Sequence, residues 1–333
     1  MQGYARFGEQ GRGNVELFVS PKLCATDALL EISEACGVEP DNVELHFTSG
    51  PPKDPVVVKA TSTYENGRKF RGKVLRPKIP ARLQDEVREI NTFLEGVTLE
   101  HGTHRGFFRG YNNGDAAGFS FNMGGRLYSA GEDSYQNLPD TERWKMTING
   151  EPVHEVDVRA SFTNILYAFH RSNFEGDPFS VPALGPNSRG AVKMFVSATI
   201  GNGKPVKRWS TRHVKGFLEE TGLSLEQTWP FAQVAEATLQ QHPLLARLGE
   251  IKGKRAITWA DLMWVESEAI VRTILDLKRN YAIPSYPVHD SLIVPRSMSE
   301  RTVKQLCVHY FGELTRLFPK PTPPTLKVSP QET

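Results

Sequence analysis

The 333-residue sequence has few cysteines and no long hydrophobic run, and each shortage excludes a class of protein. Its three cysteines, Cys24, Cys36 and Cys307, are an odd and scattered set, which argues against a disulfide framework and against a zinc site. No stretch of about 18 apolar residues is present to span a membrane. Residues 1–13 are polar and glycine-rich, unlike a signal peptide. We therefore expect a cytoplasmic protein in a reducing compartment, without membrane contact.

The common phosphate-binding and metal-binding motifs are also absent from the sequence. There is no GxxxxGK loop, no pair of histidines spaced to bind a metal from one helix, and no internal repeat. The formal net charge of +2 is close to neutral, so the overall charge does not indicate a nucleic-acid partner. Local patterns therefore carry the functional information.

The hydrophobic pattern predicts an α+β protein, and its length predicts two or three subdomains. Residues 1–80 are expected to form a small N-terminal α+β domain, with strands near 15–19, 43–47 and 54–60 and a helix over 25–36. Later helices are predicted over 82–95, 161–170, 188–201, 211–221, 224–241, 258–278 and 301–318. The proline-rich residues 319–333 are expected to be a flexible tail.

Basic residues are concentrated just before the first long helix. Between Gly67 and Arg82 there are seven of them and no acid: Arg68, Lys69, Arg71, Lys73, Arg76, Lys78 and Arg82. With Phe70 among them, this pattern is typical of a surface that binds a polyanion such as nucleic acid. The alternative is a solvated basic face without a partner.

A second segment, residues 101–125, mixes glycines with cations and aromatic rings, including Arg105, Phe107, Arg109 and Tyr111. Cations and stacking rings on a flexible backbone can hold a strand of nucleic acid. An exposed loop without such a role fits the composition equally well.

Two apolar strands each carry one aspartate. Residues 286–295 predict a strand, a polar turn containing Asp290, and a second strand, bracketed by prolines. The Asn149-Gly150 pair predicts a hairpin turn leading into the strand Val153–Val158, which carries Asp157. A carboxylate on an apolar strand is costly to bury unless positive charge lies against it. We predict that the fold brings Asp157 and Asp290 together around magnesium.

Arg189 and Lys193 lie near the start of a predicted helix and four residues apart, so they project from one face. A helix amino terminus with two cations on one face suits a triphosphate. A solvated helix face is the alternative.

Four stretches follow one another over roughly residues 120–296: Gly125-Arg126-Leu127 with Gln136-Asn137-Leu138-Pro139, then Glu155-Val156-Asp157, Arg189-x3-Lys193 and Val288-His289-Asp290. In this order they resemble the TGRLSS…NLQNIP segment and motifs A, B and C of the family A DNA polymerases and the related single-subunit phage RNA polymerases. Residues 148–167 also resemble small polymerase-like proteins of prophages and plasmids.

The resemblance implies a polymerase palm with an antiparallel sheet and helical fingers. It implies a thumb-like helix and basic connector at 81–120, palm segments at 121–170 and 266–318, and fingers at 171–265. The implied reaction is template-directed addition of nucleotides to a primer 3′ end with two Mg²⁺ ions, or Mn²⁺ in their place. The implied partners are a DNA or RNA template-primer, nucleoside triphosphates and other replication proteins.

The resemblance also implies roles for single residues. Asp157, Asp290 and the carbonyl of Val158 would hold the metal. Arg189 and Lys193 would bind the β- and γ-phosphates, with Lys193 as a proton donor to the leaving pyrophosphate. The residues expected to contact nucleic acid are Arg126, Gln136 and His289, together with Arg68, Lys69 and Arg71 of the basic stretch.

Departures from the family pattern leave the choice of sugar open. Ser291 follows the motif C aspartate where the DNA polymerases have glutamate, as in the phage RNA polymerases. The sugar-selecting position after motif A falls on Phe162 without a gap, or on Asn164 with a two-residue shift. We therefore expect a DNA polymerase, with an RNA polymerase or primase of the same fold as the first alternative. A catalytically silent nucleic-acid-binding subunit of a replication complex is the second.

Overall fold

The computed structural model describes residues 3–10, 14–21, 27–37, 52–65, 68–248, 251–252 and 255–330. The chain divides into two compact units, Met1–Gly50 and Pro51–Thr333. In the first, strands β1 (Gly3–Gln10) and β2 (Asn14–Pro21) form an antiparallel hairpin, followed by helix α1 (Asp27–Ala35). The predictions of a strand at 15–19 and a helix at 25–36 are confirmed. The strand predicted at 43–47 lies outside the described residues.

The second unit is mixed α+β with largely antiparallel sheets, which confirms the predicted fold class. Its strands are β3 (Val56–Lys59), β4 (Thr63–Glu65), β5 (Arg68–Phe70), β6 (Val74–Leu75), β7 (Leu99–Glu100), β8 (Phe107–Tyr111), β9 (Gly124–Ser129), β10 (Thr147–Ile148), β11 (Glu151–Val158), β12 (Ile251–Lys252), β13 (Arg255–Ala256), β14 (Tyr286–Val288), β15 (Ser291–Pro295) and β16 (Leu326–Ser329). Its helices are α2 (Ala81–Leu94), α3 (Asp140–Arg143), α4 (Ser161–Phe169), α5 (Arg189–Asn202), α6 (Thr211–Thr221), α7 (Leu225–Thr228), α8 (Phe231–Gln241), α9 (Trp259–Tyr281) and α10 (Ser299–Leu317).

The long helices lie close to their predicted bounds, with one exception. The helix predicted over 224–241 is two helices, α7 and α8, separated at Pro230. Proline lacks the N–H that a helix interior needs, so the helix stops and restarts there. Among the described residues, no helix combines the length and the apolar character needed to span a bilayer.

The largest sheet has the order β14-β15-β11-β10-β7, and β16 also pairs with β11. Along β11, Val156 and Val158 are buried in the core, while Glu155 and Asp157 are less buried and project from the opposite face. The Asn149-Gly150 turn before β11 has positive φ at both residues, as the predicted hairpin requires. The alternation along β11 places its acidic side chains on one face of the sheet.

A second sheet has the order β6-β3-β8-β9. Because of this sheet, the observed boundary between the two units differs from the predicted end of the N-terminal domain. The sequence predicts a domain ending at residue 80, but β3 pairs with β8 and therefore belongs to the second unit. The finer division into thumb, palm and fingers stays a prediction.

Helix α9 is the central element of the second unit. It packs against β9, α2, α4 and α10, and most of its length is buried. Through the ion pair of Glu268 with Arg109 it also contacts β8, which lies within the segment 101–125 that the sequence predicts to be exposed. Phe107, Arg109 and Tyr111 of β8 are fully buried, so they cannot stack on a nucleic acid. That prediction was wrong for these three side chains.

The C-terminal segment also differs from its prediction. The sequence predicts a flexible tail over 319–333, yet Leu326–Ser329 form strand β16 and complete the sheet beside β11. The amide of Asn173 fixes the chain before this strand, donating to Lys320 O and accepting from Thr322 N, each at 2.9 Å. Sequence composition missed this strand because its pairing partner is distant in the chain.

Candidate active site

The two aspartates of the sequence motifs lie on neighbouring strands. Asp157 of β11 is paired in register with Ser291 of β15, and Asp290 immediately precedes β15. The backbone N–H of Val158 donates to the carbonyl of Asp290 at 3.3 Å. Both aspartates line one cavity of about 530 Å³. The fold thus brings together two acidic residues that are far apart in the chain.

Unusual backbone conformations lie within three residues of each aspartate. His289, directly before Asp290, has φ 56°, and Ala160, at the start of α4, has φ 53°. Residues other than glycine avoid this left-handed region, and such conformations concentrate at functional sites, where the surrounding structure holds them. No glycine marks either position, so sequence could not have predicted these turns.

The electrostatic environment of the aspartates disfavours two bare negative charges. Burial, reinforced by repulsion from Asp290 and Glu155, raises the pKa of Asp157 to about 6. Burial likewise raises the pKa of Asp290. In the part of the chain that the structure describes, neither aspartate takes part in an ion pair. Two desolvated carboxylates that repel one another favour a bound cation.

The donor set of this cavity is small. Among the residues described, no group of three or more histidine, cysteine, aspartate or glutamate side chains is arranged to hold a metal. Three carboxylates line the cavity, but that of Glu266 is held by Arg126 and Ser161, which leaves those of Asp157 and Asp290 for a metal. Val158 lines the cavity beside Asp157. Magnesium is bound in proteins by one or two carboxylates and keeps water and substrate phosphates as its other ligands, so this set fits it.

Helix α5 brings cations to the same cavity. Arg189 and Lys193, in its first two turns, both line it. Arg189 donates to Asp177 at 2.6 Å and lies over the ring of Phe179, so its charge is already partly neutralised. Lys193 is exposed and forms no ion pair among the described residues. Lys193 is therefore the less restrained of the two cations towards an anionic ligand.

Arg126 of β9 reaches the cavity from a buried chain of polar groups. Its guanidinium donates through Nε and Nη2 to Glu266 Oε1, the former at 2.8 Å. The other carboxylate oxygen of Glu266 accepts from the Ser161 hydroxyl at 2.6 Å. Tyr310 of α10 donates to the Ser161 carbonyl at 2.9 Å. Glu266 is only 1% exposed, which is unusual for a glutamate and requires these partners.

The charge of this buried chain is balanced within the protein. Burial raises the pKa of Glu266, while the Arg126 guanidinium and the Ser161 hydroxyl both stabilise its carboxylate form. Arg126 also donates to His289 Nδ1, 3.2 Å away, and lies over the ring of Phe162. Desolvation, and secondarily the charge of Arg126, lower the pKa of His289 to about 4, so its imidazole is neutral and can accept this bond.

Gln136 supports the aspartate hairpin from behind. Its amide donates to Pro287 O at 2.8 Å and to Leu127 O at 3.1 Å, and accepts from Ser129 N at 2.9 Å. Tyr135 donates to the same Pro287 carbonyl at 2.7 Å. Because the Gln136 amide is engaged within the protein, the geometry favours a role in holding the hairpin. Its predicted contact with nucleic acid stays a prediction.

The side chain of Ser291 is engaged by Glu155 rather than available to a metal. It is 2% exposed, and its hydroxyl donates to Glu155 Oε1 at 2.6 Å. Arg143 holds the same carboxylate through Nε and Nη2 at 3.0 to 3.2 Å. Glu155 is thus tied by a cation and a hydroxyl, whereas Asp157 and Asp290 are in no ion pair with any residue that the structure describes.

The structure distinguishes the two candidates for the sugar-selecting position. Phe162 lines the cavity beside Arg126. Asn164 does not: its amide donates to the Arg159 carbonyl at 3.1 Å, and it lines a separate small pocket next to Tyr167 and Asn173. The position counted without a gap, Phe162, therefore lines the cavity, whereas the position shifted by two residues, Asn164, does not.

The basic stretch lies on short strands and loops of the second unit. Arg71, Lys73, Arg76 and Lys78 are exposed, as is Phe70. Arg68 and Lys69 belong to β5, but their side chains lie outside the described part of the structure. Nucleic-acid binding by Arg68, Lys69 and Arg71 stays a prediction.

Sequence reasoning missed several residues that line the cavity, among them a lysine near the C-terminus. Lys327 of β16 lines it and is paired in register with Asp157. The only local signal was the alternation of Leu326, Lys327 and Val328, which is typical of a strand.

No protein-family model matches the chain, and no curated protein matches it in sequence. Among solved structures, the POL domain of Pol1 from M. smegmatis, in complex with DNA primer-template and dNTP, matches with a TM-score of 0.36 and 14% sequence identity. The match covers 61% of this chain and 45% of that one, so the chain spans less than half of that chain's length. A likeness of this size establishes no shared activity, and the assignment of function depends on the cavity itself.

Proposed function

We propose that this protein is a template-directed nucleotidyltransferase, a compact DNA polymerase similar to family A, that adds nucleotides to a primer 3′ end. One observation carries the proposal: Asp157, Asp290 and Lys193, from three separate segments, line one cavity. The order of the motifs along the chain supports the same reading. In this reading β11, β14 and β15 belong to the palm and α5 to the fingers.

Asp157, Asp290 and the Val158 carbonyl are the groups that would hold Mg²⁺, with Mn²⁺ as a substitute. When bound, the metal supplies positive charge that favours the nucleophilic form of a 3′-hydroxyl and neutralises a pyrophosphate leaving group. The hard oxygen donors and the raised pKa values of both aspartates support this assignment.

The cations of α5 bind the triphosphate in this proposal. Lys193 contacts the β- and γ-phosphates and donates a proton to the departing pyrophosphate oxygen. Arg189 contributes at the rim, where its bond to Asp177 fixes its orientation. Phe162 packs beside the sugar, where a ring can exclude a 2′-hydroxyl by its size. That contact favours deoxynucleotides.

Nucleic acid enters this scheme through groups around the cavity. Arg126 and His289 contact the backbone of the primer terminus, a contact that fixes register without reading sequence. The exposed basic residues of the stretch 68–82 hold the duplex farther away by charge. Gln136 contributes by holding the hairpin that carries Asp290.

The decisive experiment measures incorporation of labelled nucleotides on a primed template with Mg²⁺. We expect wild-type protein to extend the primer, and Asp157→Asn or Asp290→Asn to abolish extension while folding and DNA binding persist. Asn keeps the shape of Asp but removes the charge that a divalent cation requires. Glu236→Asn, at an exposed position of α8, is the matched control and should extend normally. Full extension by either aspartate variant would refute the metal role.

Lys193 is tested separately. We expect Lys193→Ala to raise the nucleotide KM by about tenfold or more, the effect of losing one charge-assisted hydrogen bond, with little change in DNA binding. Steady-state kinetics with varied nucleotide, alongside a DNA-binding titration, measure both quantities. Equal losses in the two assays would count against the triphosphate role.

An RNA polymerase or primase is the first alternative, and Ser291 at the motif C position favours it. Deoxy- and ribonucleotides supplied separately, on primed and unprimed templates, decide between the two. Synthesis only from ribonucleotides, or without a primer, would assign the alternative.

A silent nucleic-acid-binding subunit is the second alternative, favoured by the exposed basic stretch 68–82. It predicts salt-dependent DNA binding and no pyrophosphate release under any nucleotide condition.

A further inference from the structure

Strand β16 completes the sheet on one side of β11, while β15 lies on the other. Asp157 is paired in register with Ser291 of β15 and with Lys327 of β16. Directly opposed residues of antiparallel strands project from the same face, with Cβ atoms about 4.5–5.5 Å apart. Lys327 therefore shares the face of Asp157, and it lines the same cavity.

The ion pairs around the cavity leave Lys327 available for a ligand. Arg126 is held by Glu266, and Arg189 by Asp177. Within the described ranges of the chain, neither Lys193 nor Lys327 forms an ion pair. Two ammonium groups, one from α5 and one from β16, thus lie at the same cavity as the two carboxylates.

The position of Lys327 is well defined by the backbone around it. Residues 155–158 of β11 pair with β16 along its whole length. Just before the strand, Thr325 O accepts from Arg159 N at 2.9 Å, and Asn173 fixes residues 320 and 322. Val328 packs against the core from the opposite face of the strand. A side chain on such a support meets a ligand without first ordering a loop.

We propose that Lys327 is a substrate-binding residue that contacts phosphate oxygens of the nucleotide or of the primer terminus. The inference rests on the proposed function, since it names a second phosphate-binding lysine for the same site. Lysine binds phosphate as a flexible point charge, and its four-carbon stem can follow a phosphate group within the cavity. The C-terminal strand is accordingly part of the active site rather than an appendage.

The test compares Lys327→Met, which keeps an unbranched apolar stem and removes the charge, with Lys327→Arg, which keeps the charge. Lys320→Met is the matched control, because Lys320 is exposed in the same segment and its contact to Asn173 is made by its backbone carbonyl. Two dissociation constants are measured for each protein: dATP with Mg²⁺ by equilibrium dialysis, and a labelled primer-template by anisotropy. Circular dichroism checks that each variant is folded.

We expect Lys327→Met to raise the dissociation constant of one of the two ligands by about tenfold. Lys327→Arg should recover most of the lost affinity, and Lys320→Met should bind both ligands as the wild type does. A loss confined to dATP assigns the triphosphate as the phosphate bound, and a loss confined to the primer-template assigns the primer terminus. Unchanged binding of both ligands, or an equal loss in Lys320→Met, overturns the proposal.

The outcome is separable from that of the proposed function. If wild-type protein binds dATP but extends no primer, polymerase activity is refuted. A selective loss in Lys327→Met then still supports phosphate binding. If wild-type protein binds neither ligand, both proposals fail together.

Discussion

Two arginines on adjacent strands make similar bonds in different surroundings. Arg109 of β8 and Arg126 of β9 each donate to a glutamate of α9, Glu268 and Glu266 respectively. Arg109 is completely buried, and its remaining donors reach Gly125 O at 2.8 Å and Glu86 at 3.3 Å. The Arg126 side chain is 15% exposed and lines the cavity. We call the Arg109–Glu268 pair the closed pair, because it is buried within the protein. We call the Arg126–Glu266 pair the open pair, because both of its residues line the cavity.

The difference follows from helix geometry. Glu266 and Glu268 are two residues apart, so they point in directions roughly 200° apart around the axis of α9. Because α9 is buried along most of its length, both glutamates require a cation, but only the Glu266 side faces the aspartates. The same chemical pair therefore serves stability on one side of the helix and positions a side chain at the cavity on the other.

Of the substitutions in these ion pairs, breaking the closed pair should lower the free energy of unfolding the most. Arg109→Met leaves Glu268 buried without its main partner, and we expect a loss of about 3 kcal/mol in the free energy of unfolding. This is the lower end of the usual range, because Arg272 Nη2 remains 3.5 Å from Glu268. Urea denaturation measures it, with the exposed Arg88→Met as control. A loss no larger than that of the control would show that the buried pair adds nothing to stability.

Breaking the open pair should reduce activity more than stability. Glu266→Gln keeps the shape and one acceptor oxygen but removes the charge that fixes Arg126. For the proposed primer extension we therefore expect kcat/KM to fall by about 10- to 100-fold. The free energy of unfolding should fall less than in Arg109→Met. Extension kinetics and urea denaturation on the same preparation separate the two effects. Activity that falls only in step with unfolding would make Glu266 purely structural.

The contrast between these arginines also marks what sequence alone could predict. The placement of Asp157 on a strand and of Arg189 and Lys193 on a helix was predictable because strand alternation and helix spacing are local patterns. Arg109 was misplaced on a surface because its partners, Glu86 and Glu268, lie on helices distant in the chain. A basic residue among aromatics has the same local pattern whether it is buried or exposed.

The aspartate cavity itself was only partly predictable. Lys327 contributes through the register of β16 on β11, and register between distant strands is set by the whole sheet rather than by neighbouring residues. The left-handed turn at His289 carries no glycine or asparagine signal. The sequence gives no sign that Glu266 is buried, because a charged side chain on a helix is usually exposed and its bonds to Arg126 and Ser161 come from distant segments.

A third set of ion pairs to α9 is partly exposed to solvent, and it extends the comparison towards the protein surface. Glu89 of α2 accepts hydrogen bonds from Arg279 Nε at 2.8 Å and from Lys278 at 2.7 Å. The hydrogen bond from Arg279 is the main cause that lowers the pKa of Glu89 to about 2. A lowered pKa means that the pair stabilises the fold above about pH 4.5 and loses that contribution as the pH falls towards 2. Since water and salt screen the pair, we expect Glu89→Gln to lower the free energy of unfolding by about 1 kcal/mol or less at neutral pH. Urea denaturation at several pH values should show the difference from wild type shrinking below pH 4, and also in high salt. A difference that persists at pH 2 would mean that Glu89 acts through packing rather than through its charge.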